Sequence, residues 1–338
     1  MVQSTRLGGT ASHIEIFKFG LGLAGMTRAP NMLSDEDAFE TIKAAIAYVP
    51  EGQRLLINSA EFYGWGLGTA NLELLARFFT KYPELTNRMV LSVKGGMKLG
   101  TLVVDGSPEN LRRSVDACNA ALDGKKRIDI FACARVDKAI PIEEEIRALK
   151  ALVEEGKFDH IGLSEVAAET IRRANSVHGI AAVEIEVSPW SYEDETRKVI
   201  ATTQSLEIPI IAYSPLGGGL LTGKVKAAEL PANDHRRMFS RFKEDVAEDN
   251  QKSVNALMEV AEKKGISAAQ LSLAWVSSLG PNLVPIPGSV KVARTKENFE
   301  AAKLGLSEEE LGELDSALAK YPVKGSRFFP AVEKGLWG

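Results

Sequence analysis

Residues 17–34 read Phe17-Lys-Phe-Gly20-Leu-Gly22-Leu-Ala-Gly25-Met-Thr27-Arg-Ala-Pro30-Asn31-Met-Leu-Ser34, and they decide between two α/β folds. Gly20, Gly22 and Gly25 match GxGxxG to the letter. In an open doubly wound sheet, the third glycine of that fingerprint lies in a helix N-terminus, where free N–H groups face a pyrophosphate. Here a polar Thr-Arg-Ala-Pro-Asn run follows, and the first helix signal waits until Ser34-Asp-Glu-Asp37, a capping box. The glycines therefore read as a tight loop at a strand end.

Outward from this stretch, short apolar runs alternate with amphipathic ones. Strands are predicted at 17–21, 54–58, 89–94, 128–133, 159–163, 182–186, 209–212 and 283–286. Several are continuous apolar patches, as in strands buried on both faces of a parallel sheet. Ala38, Ile42, Ala45, Ile46 and Val49 follow Ser34 at helical spacing, and Ser267…Gln270 and Ser307…Glu310 repeat the cap. About eight β/α units without a linker close naturally into one (β/α)8 TIM barrel, a single domain over 1–338.

Composition narrows the function. Forty-one basic against 45 acidic residues give a formal net charge of −4, which argues against a nucleic-acid binder. No secretory leader or membrane-length apolar run is evident, so the expected place is the cytoplasm, away from membranes. Cys118 and Cys133 are too few for a disulfide framework, and Cys133 is expected to be a buried thiol facing the outer helices. His13, His160, His178 and His235 show no metal-ligand spacing, so no metal is expected. Gly218-Gly-Leu-Leu-Thr-Gly223-Lys224 nearly matches a phosphate-binding loop. Val225 then stands where a hydroxyl would hold a metal ion.

Five segments carry a resemblance. Asn58-Ser-Ala-Glu-Phe-Tyr63-Gly64 is similar to D-T-A-x-x-Y-G, and Leu91-Ser-Val-Lys94 to a strand ending in a catalytic lysine. Gly162-Leu-Ser164-Glu165, Ile211-Ala-Tyr213-Ser-Pro-Leu-Gly217 with Gly219…Lys224, and Pro285-Ile-Pro-Gly-Ser289 with Arg294…Glu297-Asn298 complete the set. In this order, each after a predicted strand, they resemble the aldo-keto reductases. That resemblance implies a barrel that binds NADPH and reduces a carbonyl.

The implied roles follow residue by residue. Tyr63 is the proton donor. A free phenol ionises near pH 10, about three units above neutrality, and a neighbouring ammonium, Lys94, favours the phenolate. Asn58 holds Lys94 through its amide oxygen. Gly25 and Met26 lie beside the cofactor. Ser164, Glu165 and Glu184 meet the nicotinamide carboxamide, and Tyr213 stacks on the ring. Ser214, Leu216, Gly218 and Lys224 surround the pyrophosphate. Ser289, Lys291 and Arg294 meet the 2′-phosphate, and Glu297 and Asn298 the adenine. Trp65, Ala134, Trp190 and Phe328 are expected pocket walls.

Four departures stand out. Asn58 replaces the family's usual aspartate and Ala134 its usual histidine, while Glu184 and Glu165 stand for the frequent glutamine and asparagine. A carboxylate accepts from an amide but cannot donate to one. Cys133-Ala134-Arg-Val-Asp137, Ala60-Glu-Phe-Tyr-Gly64, Ser92-Val-Lys-Gly-Gly96 and Lys320-Tyr-Pro…Gly325 are similar to the fungal pyridoxal reductases of that family. The expectation is NADPH-dependent reduction of a small aldehyde, pyridoxal to pyridoxine. The alternatives are a broad carbonyl reductase, or a non-catalytic NADPH-binding protein given Asn58 and Ala134.

Overall fold

A computed structural model describes residues 4–28, 32–232, 234–328, 330–333 and 335–338. Its first element is an antiparallel hairpin of β1 (Ser4–Arg6) and β2 (Glu15–Phe17). Eight parallel strands follow: β3 (Leu21–Gly22), β4 (Leu55–Ala60), β5 (Met89–Gly95), β6 (Ile130–Cys133), β7 (His160–Ser164), β8 (Ala182–Glu186), β9 (Ile210–Tyr213) and β10 (Leu283–Pro285). They lie side by side in chain order. A bridge between Gly22 and Gly288 and the Gly20 N–H donating to Pro285 O at 3.0 Å bring the first barrel strand against the last. The fold is a (β/α)8 barrel.

Seven of the predicted strands lie within two residues of those observed. The predicted 17–21 strand is divided instead. Phe17 ends the hairpin, and the barrel strand starts at Leu21. Sterics at the seam explain the glycines. A Cβ on Gly20 would stand 2.8 Å from Leu56 O, and one on Gly22 would stand 2.9 Å from Ile286 O. Gly25 follows in a short 3₁₀ turn, Ala24–Met26, so no helix begins there. Of the polar run after it, residues 29–31, including Pro30 and Asn31, lie outside the described residues.

Helices connect the strands on the outside: α1 (Asp35–Ile46), α2 (Ala70–Lys81), α3 (Pro108–Leu122), α4 (Ile142–Glu154), α5 (Ala168–Val177), α6 (Asp194–Ser205), α7 (Glu244–Lys264) and α8 (Ala268–Ser278). Beyond β10 come α9 (Val292–Glu300), α10 (Glu308–Lys320) and the short α11 (Pro330–Glu333). Ser267 and Ser307 form complete capping boxes. Ser34 is half of one. Its Oγ accepts the Asp37 N–H, but Asp37 turns its carboxylate to the Ser34 hydroxyl.

Strand alternation sorts the side chains. Leu56, Val90, Ile130, Ala182, Ile211 and Val284 fill the barrel's lower interior with Leu7, Ala11, Ile14 and Ile16 of the hairpin region. Ile57, Leu91, Val93, Phe131, Leu163 and Val183 pack outward against the helices in a larger core. Above the lower plug, the same two-residue period places Asn58, Lys94, Ser164, Glu184 and Tyr213 inside, at the C-terminal strand ends. Cys133 falls outside, within the larger core. Among the described residues, no helix is long and apolar enough to cross a membrane.

Candidate active site

Three inward side chains form a closed triangle. Lys94 Nζ donates to Asn58 Oδ1 at 2.7 Å and to Glu184 at 2.8 Å (Oε1) and 3.1 Å (Oε2). Asn58 Nδ2 donates to Glu184 Oε2 at 2.7 Å. The Lys94 and Glu184 side chains are 5% and 4% exposed. Donor chemistry fixes the amide orientation: an ammonium has only donors and a carboxylate only acceptors. Burial works to lower the Lys94 pKa. The charge of Glu184, and then Tyr63, overcome it and hold that pKa above the ordinary lysine value.

Tyr63 lies over this triangle, its ring centroid 5.0 Å from Lys94 Nζ. Arg28 is 5.4 Å from the same centroid, and Phe62 packs edge-on. A buried polar network holds the loop. Ser59 Oγ donates to Asn71 Oδ1 at 2.7 Å, and Asn71 Nδ2 donates to Leu23 O and Thr27 Oγ1. The Thr27 hydroxyl donates to Tyr63 O. Sequence reasoning passed over Asn71, because a polar residue on an amphipathic helix normally reads as solvated, and over Thr27, because it opens a polar run after a short turn.

A second cluster occupies the ends of β7, β8 and β9. Tyr213 Oη donates to Glu165 Oε1 at 2.6 Å, and the Glu186 N–H donates to the same oxygen. Arg327 forks onto Glu165 at 3.4 and 3.3 Å, with its guanidinium 4.9 Å from the Trp337 ring centroid. Glu186 accepts from Ser191 Oγ and lies 3.6 Å from Arg241. Burial, with Glu165 and Glu186 close by, pushes the Tyr213 phenol well above its usual pKa. Arg241 and Arg327 had no signal in the sequence. Each is one cation in a polar stretch, and their burial comes from tertiary folding alone.

Between these clusters the Ser164 hydroxyl is buried with no hydrogen-bond partner among the described residues. A second orphan, Thr295 Oγ1, lies on α9. Such groups call for a polar ligand or water. The segments around them suit a dinucleotide. A Cβ on Gly25 would stand 3.5 Å from Val290, and Met26 is buried. Ser214, Gly218 and Gly219 have positive φ, which turns the 214–224 loop, and Leu216 packs on the outer core. Lys224 pairs with both Glu297 oxygens at 3.1 Å. Ser289 Oγ braces the Lys291 backbone, Asn298 is buried, and Arg294 is exposed on the first turn of α9. These residues fit a nicotinamide dinucleotide.

The expected pocket residues lie in different settings. Trp65 is 61% exposed. Ala134 is buried, and its N–H donates to Gly95 O. Trp190 is also buried and donates Nε1 to Ser253 Oγ at 2.9 Å. Phe328 packs on Phe239, with Arg135 at 5.7 Å from its ring centroid. The polar stretch 225–250 carries short 3₁₀ turns and is anchored by Arg241, which donates to Trp190 O and Ser191 Oγ. His160 meets Thr10 Oγ1 at 2.9 Å, at the hairpin end of the barrel.

An inward tyrosine over a buried lysine, at the C-terminal mouth of a (β/α)8 barrel, defines a class of oxidoreductase. The chain belongs to the aldo/keto reductase family, whose model matches residues 18–319. Carbonyl reduction, with a nicotinamide cofactor generally used, is that family's chemistry. The chain is 41% identical over 323 residues to "Probable pyridoxal reductase 2" of Schizosaccharomyces pombe, covering 94% of this chain and 96% of that one. It is 33% identical over 340 residues to "Probable aldo-keto reductase 1" of Glycine max, covering 99% and 94%. The fold matches that of a glycerol dehydrogenase from Gluconobacter oxydans with a TM-score of 0.80 at 24% identity, over 96% and 98% of the chains.

Proposed function

We propose that this protein reduces pyridoxal to pyridoxine with NADPH. The observation that carries the reading is the Asn58–Lys94–Glu184 triangle beneath Tyr63, because it keeps a charged ammonium beside the phenol despite full burial. The bound cofactor supplies a hydride for the carbonyl carbon. Tyr63 gives its proton to the carbonyl oxygen, and Lys94⁺ favours the phenolate left behind. Ser164 offers its unpartnered hydroxyl to the carboxamide, and Tyr213, fixed by Glu165, presents a face to the ring. Ser214, Leu216, Gly218 and Lys224 line the pyrophosphate path. Ser289, Lys291, Arg294, Glu297 and Asn298 take the adenosine end.

Support for pyridoxal comes from the resemblance of the Cys133–Asp137 segment and from the 41% identical relative. Ala134 carries less bulk than the imidazole that the family usually has at this position. A buried lysine, held charged directly beneath the Tyr63 ring, favours the catalytic reading over a purely binding one. The test is NADPH consumption on pyridoxal beside a broad aldehyde panel, with a parallel fluorescence titration of NADPH. Preferred turnover of pyridoxal supports the proposal. Binding without turnover on any aldehyde would overturn it.

A further inference from the structure

We propose that Glu184 is the positioning residue that keeps Lys94 charged and aimed at Tyr63, and that Glu184 and Asn58 form one exchangeable unit. The carboxylate and the amide can trade strands, whereas neither can change alone. This rests on the reading of Tyr63 and Lys94 as the catalytic pair.

The argument is one of donors and acceptors. Each edge of the triangle is short, and all three side chains are buried. Lys94 brings only donors, so positions 58 and 184 must both turn an acceptor toward it. They also touch each other at 2.7 Å, so one of them must supply a donor there. With a carboxylate at 184, that donor has to come from an amide at 58. With a carboxylate at 58, it has to come from an amide at 184. Two carboxylates would oppose oxygen to oxygen unless one took a proton. Two amides would leave a buried ammonium with no anion, which is costly in a dry interior.

The charge balance points the same way. Among the described residues, Glu184 on β8 and Tyr63 after β4 are the titratable groups whose charge bears on Lys94. Asn58, on the neighbouring strand, is neutral. The full counter-charge of this lysine therefore arrives from across the barrel, on the side of the proposed nicotinamide subsite. Position 58, adjacent to it, supplies only geometry. Without Glu184, burial acts unopposed by a carboxylate, and Lys94 sheds its proton at lower pH.

The experiment is a four-protein cycle: wild type, Asn58→Asp, Glu184→Gln and the double variant. The melting temperature of the unloaded protein and the pH profile of kcat/KM are both read. Each single variant is expected to melt lower by about 5 °C or more. In Glu184→Gln, the alkaline limb of kcat/KM should move about one unit or more toward neutrality. The double variant should regain most of the melting temperature, the wild-type limb, and kcat/KM within about threefold. Additive melting losses, or an unmoved limb in Glu184→Gln, would overturn the exchange. The melting cycle needs no turnover. If no aldehyde is reduced, the functional reading fails, and recovery of stability in the double variant still supports the exchange.

Discussion

Arg327 forks onto Glu165, a residue 162 positions earlier, with both carboxylate oxygens within 3.4 Å of its guanidinium nitrogens. The pair is buried, and Glu165 holds the hydroxyl of Tyr213. Removing one partner of such a pair leaves an uncompensated charge and costs about 3–5 kcal/mol. Arg327→Met is therefore expected to lower the denaturation midpoint strongly and to weaken NADPH binding through a loosened Tyr213. Arg327→Lys keeps the charge but loses the fork and should fall between. A midpoint for Arg327→Met equal to wild type would show the pair to be without net worth.

Tyr63→Phe is expected to cut kcat by about 10²–10⁴-fold while NADPH still binds. The phenyl ring keeps its packing on Phe62 and loses only the hydroxyl. Single-turnover kinetics and a fluorescence titration separate the two effects. Retained turnover would mean another acid protonates the product.

Arg294 is exposed at the start of α9, close in sequence to the braced Ser289–Lys291 turn. A guanidinium–phosphate contact there is worth about 1.5–3 kcal/mol. Arg294→Ala should weaken NADPH binding by tenfold or more on that scale and leave NADH binding nearly as it was. Equal losses for both cofactors would count against the 2′-phosphate assignment.

Burial pushes the carboxyl of Glu145 up to about 7, although the Cys133 thiol hydrogen-bonds to it. Its unfolded value lies near 4.3, so the folded protein holds this proton over a wider range than the unfolded chain. Stability from this group is full below the unfolded value. It declines as pH rises toward 7 and is gone above, a swing on the order of 3–4 kcal/mol. Glu145→Gln has no such slope. Relative to wild type, its melting temperature should improve from pH 5 to about pH 7 and then level off toward pH 8. A constant difference across that range would contradict the assignment.

Much of the barrel was legible because its signals are local. Parallel strands buried on two faces read as apolar runs, and serine caps mark the helix starts. Two-residue alternation alone places Lys94 and Glu184 inside and Cys133 outside. The hairpin was not legible, since Ser4–Arg6 and Glu15–Phe17 are too short to show a period. Asn58 and Glu184 each looked like a separate departure from a pattern. Only the 2.7 Å contact between them brings the two departures together. The same contact means that Asn58→Asp alone removes the donor that serves Glu184.

The seam of the barrel has a consequence for the order of folding. Gly20 and Pro285 are hydrogen-bonded partners 265 positions apart in the chain. During synthesis at a ribosome, β4 to β9 are made long before β10 exists to close the ring. Until then, the growing sheet has two open edges, β3 and β9, each a template for pairing with the wrong chain. The strand at the first, Leu21–Gly22, is two residues long. Such a short edge offers little for a stray strand to grip. Joining these distant ends closes the longest loop of the barrel seam and is expected to come late in assembly. Amides at the seam should be among the last to gain protection in a refolding hydrogen-exchange experiment.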